Sequence, residues 1–133
     1  MFVTPFYAGL LAIWFVVLSA RIVNIRRRGL LFGDDGDPTI RRMVRAQANF
    51  AEYVPFALLM MGFLEAGRHS IYVLHALGIA LLAARILHGL ALSFGWLPIA
   101  ARIAGTSLTF VVLLVEAVAC IAQGIRGQAL WGL

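Results

Sequence analysis

The sequence predicts an all-α, integral-membrane four-helix bundle, and three observations lead to that class. Of 133 residues, 62% are hydrophobic and only 13% charged, whereas soluble domains run at roughly half and a quarter. The apolar residues fall into long runs close to the ~20 residues that a helix needs to cross the hydrocarbon. Short turn-rich stretches with glycine, proline and arginine separate these runs. No linker, low-complexity tract or internal repeat divides the chain, so residues 1–133 read as one transmembrane domain.

The first span is Pro5 to Val23, apolar except for Ser19 and Arg21. No basic residue precedes it, and Arg26, Arg27 and Arg28 follow it, which is unlike a cleavable signal peptide. Asn24 to Ile40 reads as a loop centred on Gly33-Asp34-Asp35-Gly36-Asp37-Pro38. Its aspartates lack the ligand spacing and closing glutamate of an EF-hand, so a solvated turn is expected. Thr39 is the expected cap of a second helix from about Ile40 to Ala66. Pro55 inside that helix should kink it and free a carbonyl, which packed neighbours tolerate.

Gly67 to Ser70 is a turn, and a third helix follows from about Ile71 to Phe94 with His75, Arg85 and His88. Gly95-Trp96-Leu97-Pro98 turns the chain again, with Trp96 at the membrane interface. The fourth helix runs from about Ile99 to Ile125, with Arg102 near its start and Glu116 deep inside. His75 and Glu116 are expected to make interhelical hydrogen bonds or pairs, as intramembrane polar groups do. The single cysteine, Cys120, excludes an internal disulfide and a cysteine-based metal site, and reads as a small buried hydrophobe. No set of residues is adequate for a metal.

The net charge of +5 comes from arginine alone, since the chain has no lysine. A nucleic-acid site needs a solvated basic surface, and these arginines cluster instead at one interhelical segment. Arg26, Arg27, Arg28, Arg41, Arg42, Arg45 and Arg102 sit at the first and third connections, against Arg68 and Arg126 on the other side. Arginine bias therefore places those connections in the cytoplasm and both termini on the opposite side of a multi-pass membrane protein. Arg26 to Arg28 are expected to meet lipid headgroups.

Arg41 to Pro55 is the most polar helical pattern in the chain, and it runs directly into the apolar run Phe56 to Leu64. If the crossing ends near Glu65, then Asn49 and Glu52 lie within the bilayer thickness, where polar groups face a protein interior or a wet cavity. At ~100° per residue Arg41, Arg45, Asn49, Glu52 and Tyr53 share one broad face, and Gln47 points the other way. A cation, an amide and a carboxylate facing one space, near the cytoplasm, make a candidate site. A structural ion pair between Glu52 and Arg85 is the plainer alternative for those two residues.

Arg45-Ala-Gln-Ala-Asn49-Phe-Ala-Glu52-Tyr53-Val-Pro55 resembles the second-helix signature of the MAPEG family, membrane-associated proteins in eicosanoid and glutathione metabolism, and in particular its microsomal glutathione transferases. Ser19-Ala-Arg21, Ala84-Arg85-Ile-Leu-His88 and Arg102 extend the resemblance over nearly the whole chain. The resemblance implies a homotrimer of four-helix subunits with glutathione bound between neighbours near the cytoplasmic surface. It implies that Arg45, Asn49, Glu52 and Tyr53 hold glutathione from one subunit, with Arg21 and Gln47 reaching it from the next. His88 matches a position lining that pocket. Arg102 matches, after a one-residue gap, the arginine that stabilises the glutathione thiolate, the catalytic role. The chain departs from the eicosanoid-pathway members at Leu92, where they carry a tyrosine.

The chemistry suits these residue types. Glutathione presents two carboxylates, one ammonium and one thiol, so it needs cations, a carboxylate and a positive group beside the sulfur. The arginine fork binds carboxylates bidentately and keeps its charge when partly buried. A free thiol ionises near pH 8.5, and a neighbouring cation favours its thiolate. The resulting expectation is a glutathione-dependent transferase or peroxidase acting on lipophilic electrophiles that arrive from the bilayer. A non-catalytic trimeric relative that binds glutathione or lipid is the alternative. A small proton-coupled exporter is disfavoured because the first helix lacks an acidic residue, and a channel because no polar filter is evident.

Overall fold

The computed structural model describes residues 2–27 and 36–131. Four helices run up, down, up and down: α1 (Val3–Arg26), α2 (Pro38–Ala66), α3 (Ile71–Gly89) continued by a π turn (Leu90–Phe94), and α4 (Ile99–Trp131). Among the described residues no strand interrupts them. Arg28, Gly33, Asp34 and Asp35 of the expected loop lie outside the described residues. α1, the Ile71–Phe94 segment and α4 over Ile99–Gln128 are each long and apolar enough to cross a membrane. α2 has the length, at 29 residues, but carries its charges in its first half.

The order of contacts gives the directions. Phe2, Val3 and Thr4 at the start of α1 donate their backbone N–H groups to the Glu65 carboxylate at the end of α2. That carboxylate satisfies donors that a helix start otherwise leaves unpaired. Farther along, Phe15 meets Phe50 with ring centroids 5.4 Å apart, and Gln47 Nε2 donates to Ser19 Oγ at 3.3 Å. α1 and α3 run side by side in the same direction, joined at three levels. Tyr7 and His75 share a 3.0 Å hydrogen bond, Trp14 Nε1 donates to Arg85 O at 3.1 Å, and Arg21 reaches Ser93 O at 3.2 Å. The His75 expectation is met.

Packing follows the apolar stripes. Leu11, Leu18, Ala57, Met61, Leu64, Leu74 and Leu81 are buried in the core, while Ile13, Val16, Leu59, Phe63, Ile79, Leu114 and Val118 stay exposed. Large apolar side chains on both faces of the same helices are what a lipid-facing bundle requires. α3 and α4 approach closely at Gly105, where an added methyl group would stand 2.6 Å from Ala84 O and 3.1 Å from His88 Cβ. A small residue there lets the backbones touch, a recurrent device between membrane helices. It also sets the height of Arg102, one turn earlier on α4, relative to His88.

Four expectations need correction. The cap of α2 is Asp37, whose side chain accepts from Thr39 N at 2.6 Å. Pro38 at the first helical position has no N–H to satisfy, so Thr39, the second helical residue, lies too late to be the cap. The last turn of the third helix winds as π rather than α, ending at Gly95 with φ +70°. That turn is the one which offers Ser93 O and the Phe94 ring to Arg21. α4 continues to Trp131 because Gly124 and Gly127 are followed by no proline to stop it. Glu116 is fully buried, yet neither carboxylate oxygen has a partner among the described residues. Arg85, the buried cation, stands level with Gly105, about three turns away along α4. α2 itself continues as one helix through Pro55.

Gly105→Ala should separate α3 from α4 and cost about 1–3 kcal/mol, as overpacking does. The expected outcome is a lower unfolding temperature in detergent, followed by circular dichroism, while Gly9→Ala, with open space around it, leaves the temperature unchanged or raises it.

Candidate functional site

The candidate residues come from three helices and meet at the end of the bundle where α1 and α3 finish and α2 and α4 begin. On α2, Arg45, Ala48, Asn49 and Glu52 are spaced by three and four residues, so they stack along one face. The π turn and the end of α3 contribute His88 and Leu92, and α4 contributes Arg102 from its first turn. These seven line one cavity of about 310 Å³. That volume is at the low end of the range of about 300–1,000 Å³ for small-molecule pockets. The wall is mostly polar, which is unusual for a groove between membrane helices.

Arg85 sets the geometry from below. It is buried, and its Nη1 donates to Asn49 Oδ1 at 3.0 Å and, more weakly, to Asn49 O at 3.5 Å. This fixes the Asn49 amide, with its oxygen held by Arg85 and its NH2 left to donate. Arg85 therefore takes Asn49 and not Glu52, and the ion pair between helices two and three is not formed. Glu52 lies on the outer side of the helix and is exposed. Nothing in the spacing of Asn49 and Arg85 along the chain announces their contact. The one available signal was an arginine in the middle of an apolar helix, which must find an acceptor.

Arg45, Glu52 and Arg102 are exposed in the subunit, whereas His88 is buried at the back of the cavity. The side chains of Arg45, Glu52 and Arg102 make no hydrogen bond or ion pair with another described residue. The cavity thus shows two cations, a carboxylate, an amide and an imidazole, with three of them on its open side. Leu92 occupies the wall beside His88 and supplies no hydroxyl.

Three expected residues stand elsewhere. Arg21 lies between α1 and the π turn, its guanidinium 3.8 Å from the centre of the Phe94 ring, a cation–π contact, with Ser93 O as acceptor. Gln47 is turned toward α1, onto Ser19. Both face away from the cavity within one subunit. Tyr53 packs edge-on against Phe110 of α4, with centroids 5.5 Å apart, one step along the face beyond Glu52. Arg102 also borders a second, more apolar groove of about 390 Å³ formed by Ile99, Ile103, Thr106, Ser107 and Phe110. Among the described residues no cluster of histidine, cysteine and carboxylates has the makings of a metal site.

Residues 4–122 match the sequence model of the MAPEG family. The inner membrane protein YecN of Escherichia coli K12 is 32% identical over 87 residues, which are 65% of this chain and 66% of that protein. YecN of Escherichia coli O6:H1 matches to the same extent. The alignment thus spans just under two thirds of these relatives' length. No solved structure is significantly similar to the chain. Three apolar helices and an inner-membrane relative identify a multi-pass membrane protein.

Asn49→Ala should leave the buried Arg85 without its side-chain acceptor and destabilise the fold by about 1–3 kcal/mol. Replacing both residues by leucine should recover most of that loss, since the buried charge is removed with its partner. A double-mutant cycle of unfolding temperatures in detergent measures the coupling.

Proposed function

Because this chain belongs to the MAPEG family, we propose that it is a glutathione transferase of the membrane, conjugating glutathione to lipophilic electrophiles. The observation that carries the proposal is the convergence of Arg45, Asn49, Glu52, His88 and Arg102 on one cavity from three helices. These are the groups that the tripeptide's own charges demand. Glu52 receives the ammonium, Arg45 a carboxylate through its planar fork, and the free NH2 of Asn49 a peptide carbonyl. Arg102 stands at the mouth of the apolar groove, so it is the cation placed to meet the sulfur.

In the proposed reaction Arg102 favours the thiolate over the thiol by charge stabilisation. The sulfur attacks an electrophilic carbon held in the groove along Ile103 and Phe110. A carbon–sulfur bond forms, and the electron pair displaced from that carbon leaves with the departing group or takes up the proton released by the thiol. The groove is lined by lipid-facing residues of α4, which suits a substrate that arrives dissolved in the bilayer.

The open side of the cavity supports a homotrimer. Arg45, Glu52 and Arg102 cannot face hydrocarbon cheaply, and a second subunit provides the missing wall. Arg21 and Gln47, turned to the opposite side of the subunit, are then the residues that a neighbour presents. In the proposed topology all four helices cross, and the arginine bias of the first and third connections favours this end of the bundle in the cytoplasm with both termini on the other side. One observation favours a second reading, a non-catalytic glutathione- or lipid-binding relative: Leu92 places a hydrocarbon side chain in the wall beside His88.

Ultraviolet difference spectra of the detergent-purified protein titrated with glutathione test both readings. A thiolate band near neutral pH is expected, and Arg102→Ala should weaken it about tenfold, equivalent to a thiol pKa higher by roughly one unit. Glu52→Gln should raise the Kd for glutathione about tenfold through loss of a charge-assisted bond. Saturable binding with no thiolate would favour the binding-protein reading, and absence of binding would sink the glutathione hypothesis.

A further inference from the structure

We propose that the end of the bundle remote from the glutathione cavity carries a second ligand site, one for a phosphate group. Its place is a cavity of about 510 Å³ between the α2–α3 turn and the last turns of α4, lined by Gly67, Arg68, His69, Gln123, Arg126 and Gly127. This site does not depend on the glutathione reading.

The first observation is the backbone of Arg68. α2 ends in a Schellman motif: Arg68 N bonds Glu65 O at 3.0 Å and His69 N bonds Leu64 O at 3.1 Å. The residue at the left-handed position of this motif is usually glycine. Here it is Arg68, with φ +59°, and the glycine stands one place earlier. Gly67 is held there by packing, since any Cβ would run into the Gln123 amide. That amide is itself fixed by donation from Nε2 to Phe63 O at 3.1 Å. A long cation thus occupies a backbone conformation that a glycine would adopt without strain, which points to a use for its side chain.

The second observation is how the neighbouring groups are oriented. His69 Nδ1 lies 3.1 Å from Leu64 O. A carbonyl oxygen only accepts, so Nδ1 carries the hydrogen and Nε2 is the free nitrogen. In the imidazolium form Nε2 donates to any phosphate oxygen; in the neutral form it accepts from a singly protonated phosphate, and a diester is then held by the two guanidinium forks. Arg126 spends its Nε on Ala122 O at 3.2 Å, which leaves both terminal nitrogens for a ligand. The third observation is charge. Glu65, the one acid at this end among the described residues, is occupied by the N–H groups of Phe2, Val3 and Thr4. Neither Arg68 nor Arg126 has a carboxylate partner among the described residues.

Two guanidinium forks, an oriented imidazole and no competing acid make a receptor for a tetrahedral dianion or diester. The cavity lies at the helix ends, where the membrane meets water. A lipid headgroup phosphate and a soluble phosphate share this chemistry.

The test uses the full chain purified in detergent. Native mass spectrometry measures retention of phosphatidylglycerol against diacylglycerol of the same acyl chains. Phosphorus NMR line broadening measures inorganic phosphate. Preferential retention of phosphatidylglycerol assigns the headgroup, and broadening of inorganic phosphate assigns a soluble ligand. In either arm Arg68→Gly and Arg126→Gln should each weaken binding about tenfold. Arg68→Gly should leave the unfolding temperature unchanged or raise it, because glycine suits that φ. Equal retention of both lipids without phosphate broadening overturns the proposal, and so does binding that survives both substitutions.

Discussion

The hydrogen bond from Arg85 to Asn49 is the interaction on which the rest of this bundle depends. A guanidinium buried among membrane helices must keep its charge, and it stays only where acceptors are brought to it. Asn49 provides them to Nη1 from α2, while Nε and Nη2 have no partner among the described residues, and the carbonyl of Arg85 itself accepts from Trp14 on α1. One residue of α3 therefore ties α1 and α2 to the same level. α4 is then located against α3 by the close approach at Gly105, just above Arg85. All four helices are registered within about two turns of that arginine.

Lipid gives the helices no hydrophobic reason to associate, so registration comes from close packing and a few polar bonds. Their distribution here is uneven in kind. At the end with Glu65 they satisfy the start of α1 and join Tyr7 to His75; at the middle level Trp14 donates to Arg85 O; at the other end Arg21 sits between Ser93 O and the Phe94 ring. The π turn belongs to this last group. A single π turn moves backbone groups out of the α register, and such turns recur at functional sites. Here it shapes the wall in which Leu92 stands and the platform on which Arg21 rests.

The two ends of the bundle differ in how their charge is arranged. At one end cations and a carboxylate share an open cavity, the arrangement on which the proposed zwitterionic ligand and neighbouring subunit rest. At the other, the acid is consumed internally and the cations are left over, an arrangement matched to an anion. The same residue type, arginine, serves both ends because its fork remains charged in partly dry surroundings. Glu116 stands between them, buried and without a partner among the described residues.

Hydropathy by itself determined that this is an all-α membrane bundle and which face of α2 is polar, and it placed the helix ends closely except at the end of α4, which runs on to Trp131. It did so because hydrocarbon admits only backbone that bonds to itself and penalises every charge. The short motif around Arg45 to Pro55 carried the family. Only the tertiary structure decided that Arg85 holds Asn49 rather than Glu52. The same is true of Arg21 facing away from the cavity, and of Asp37 as the cap of α2. Each of those outcomes turns on a contact between residues distant in sequence or on a small shift at a helix end. Periodicity reports which face a side chain occupies, and it carries no information about which partner stands across from it.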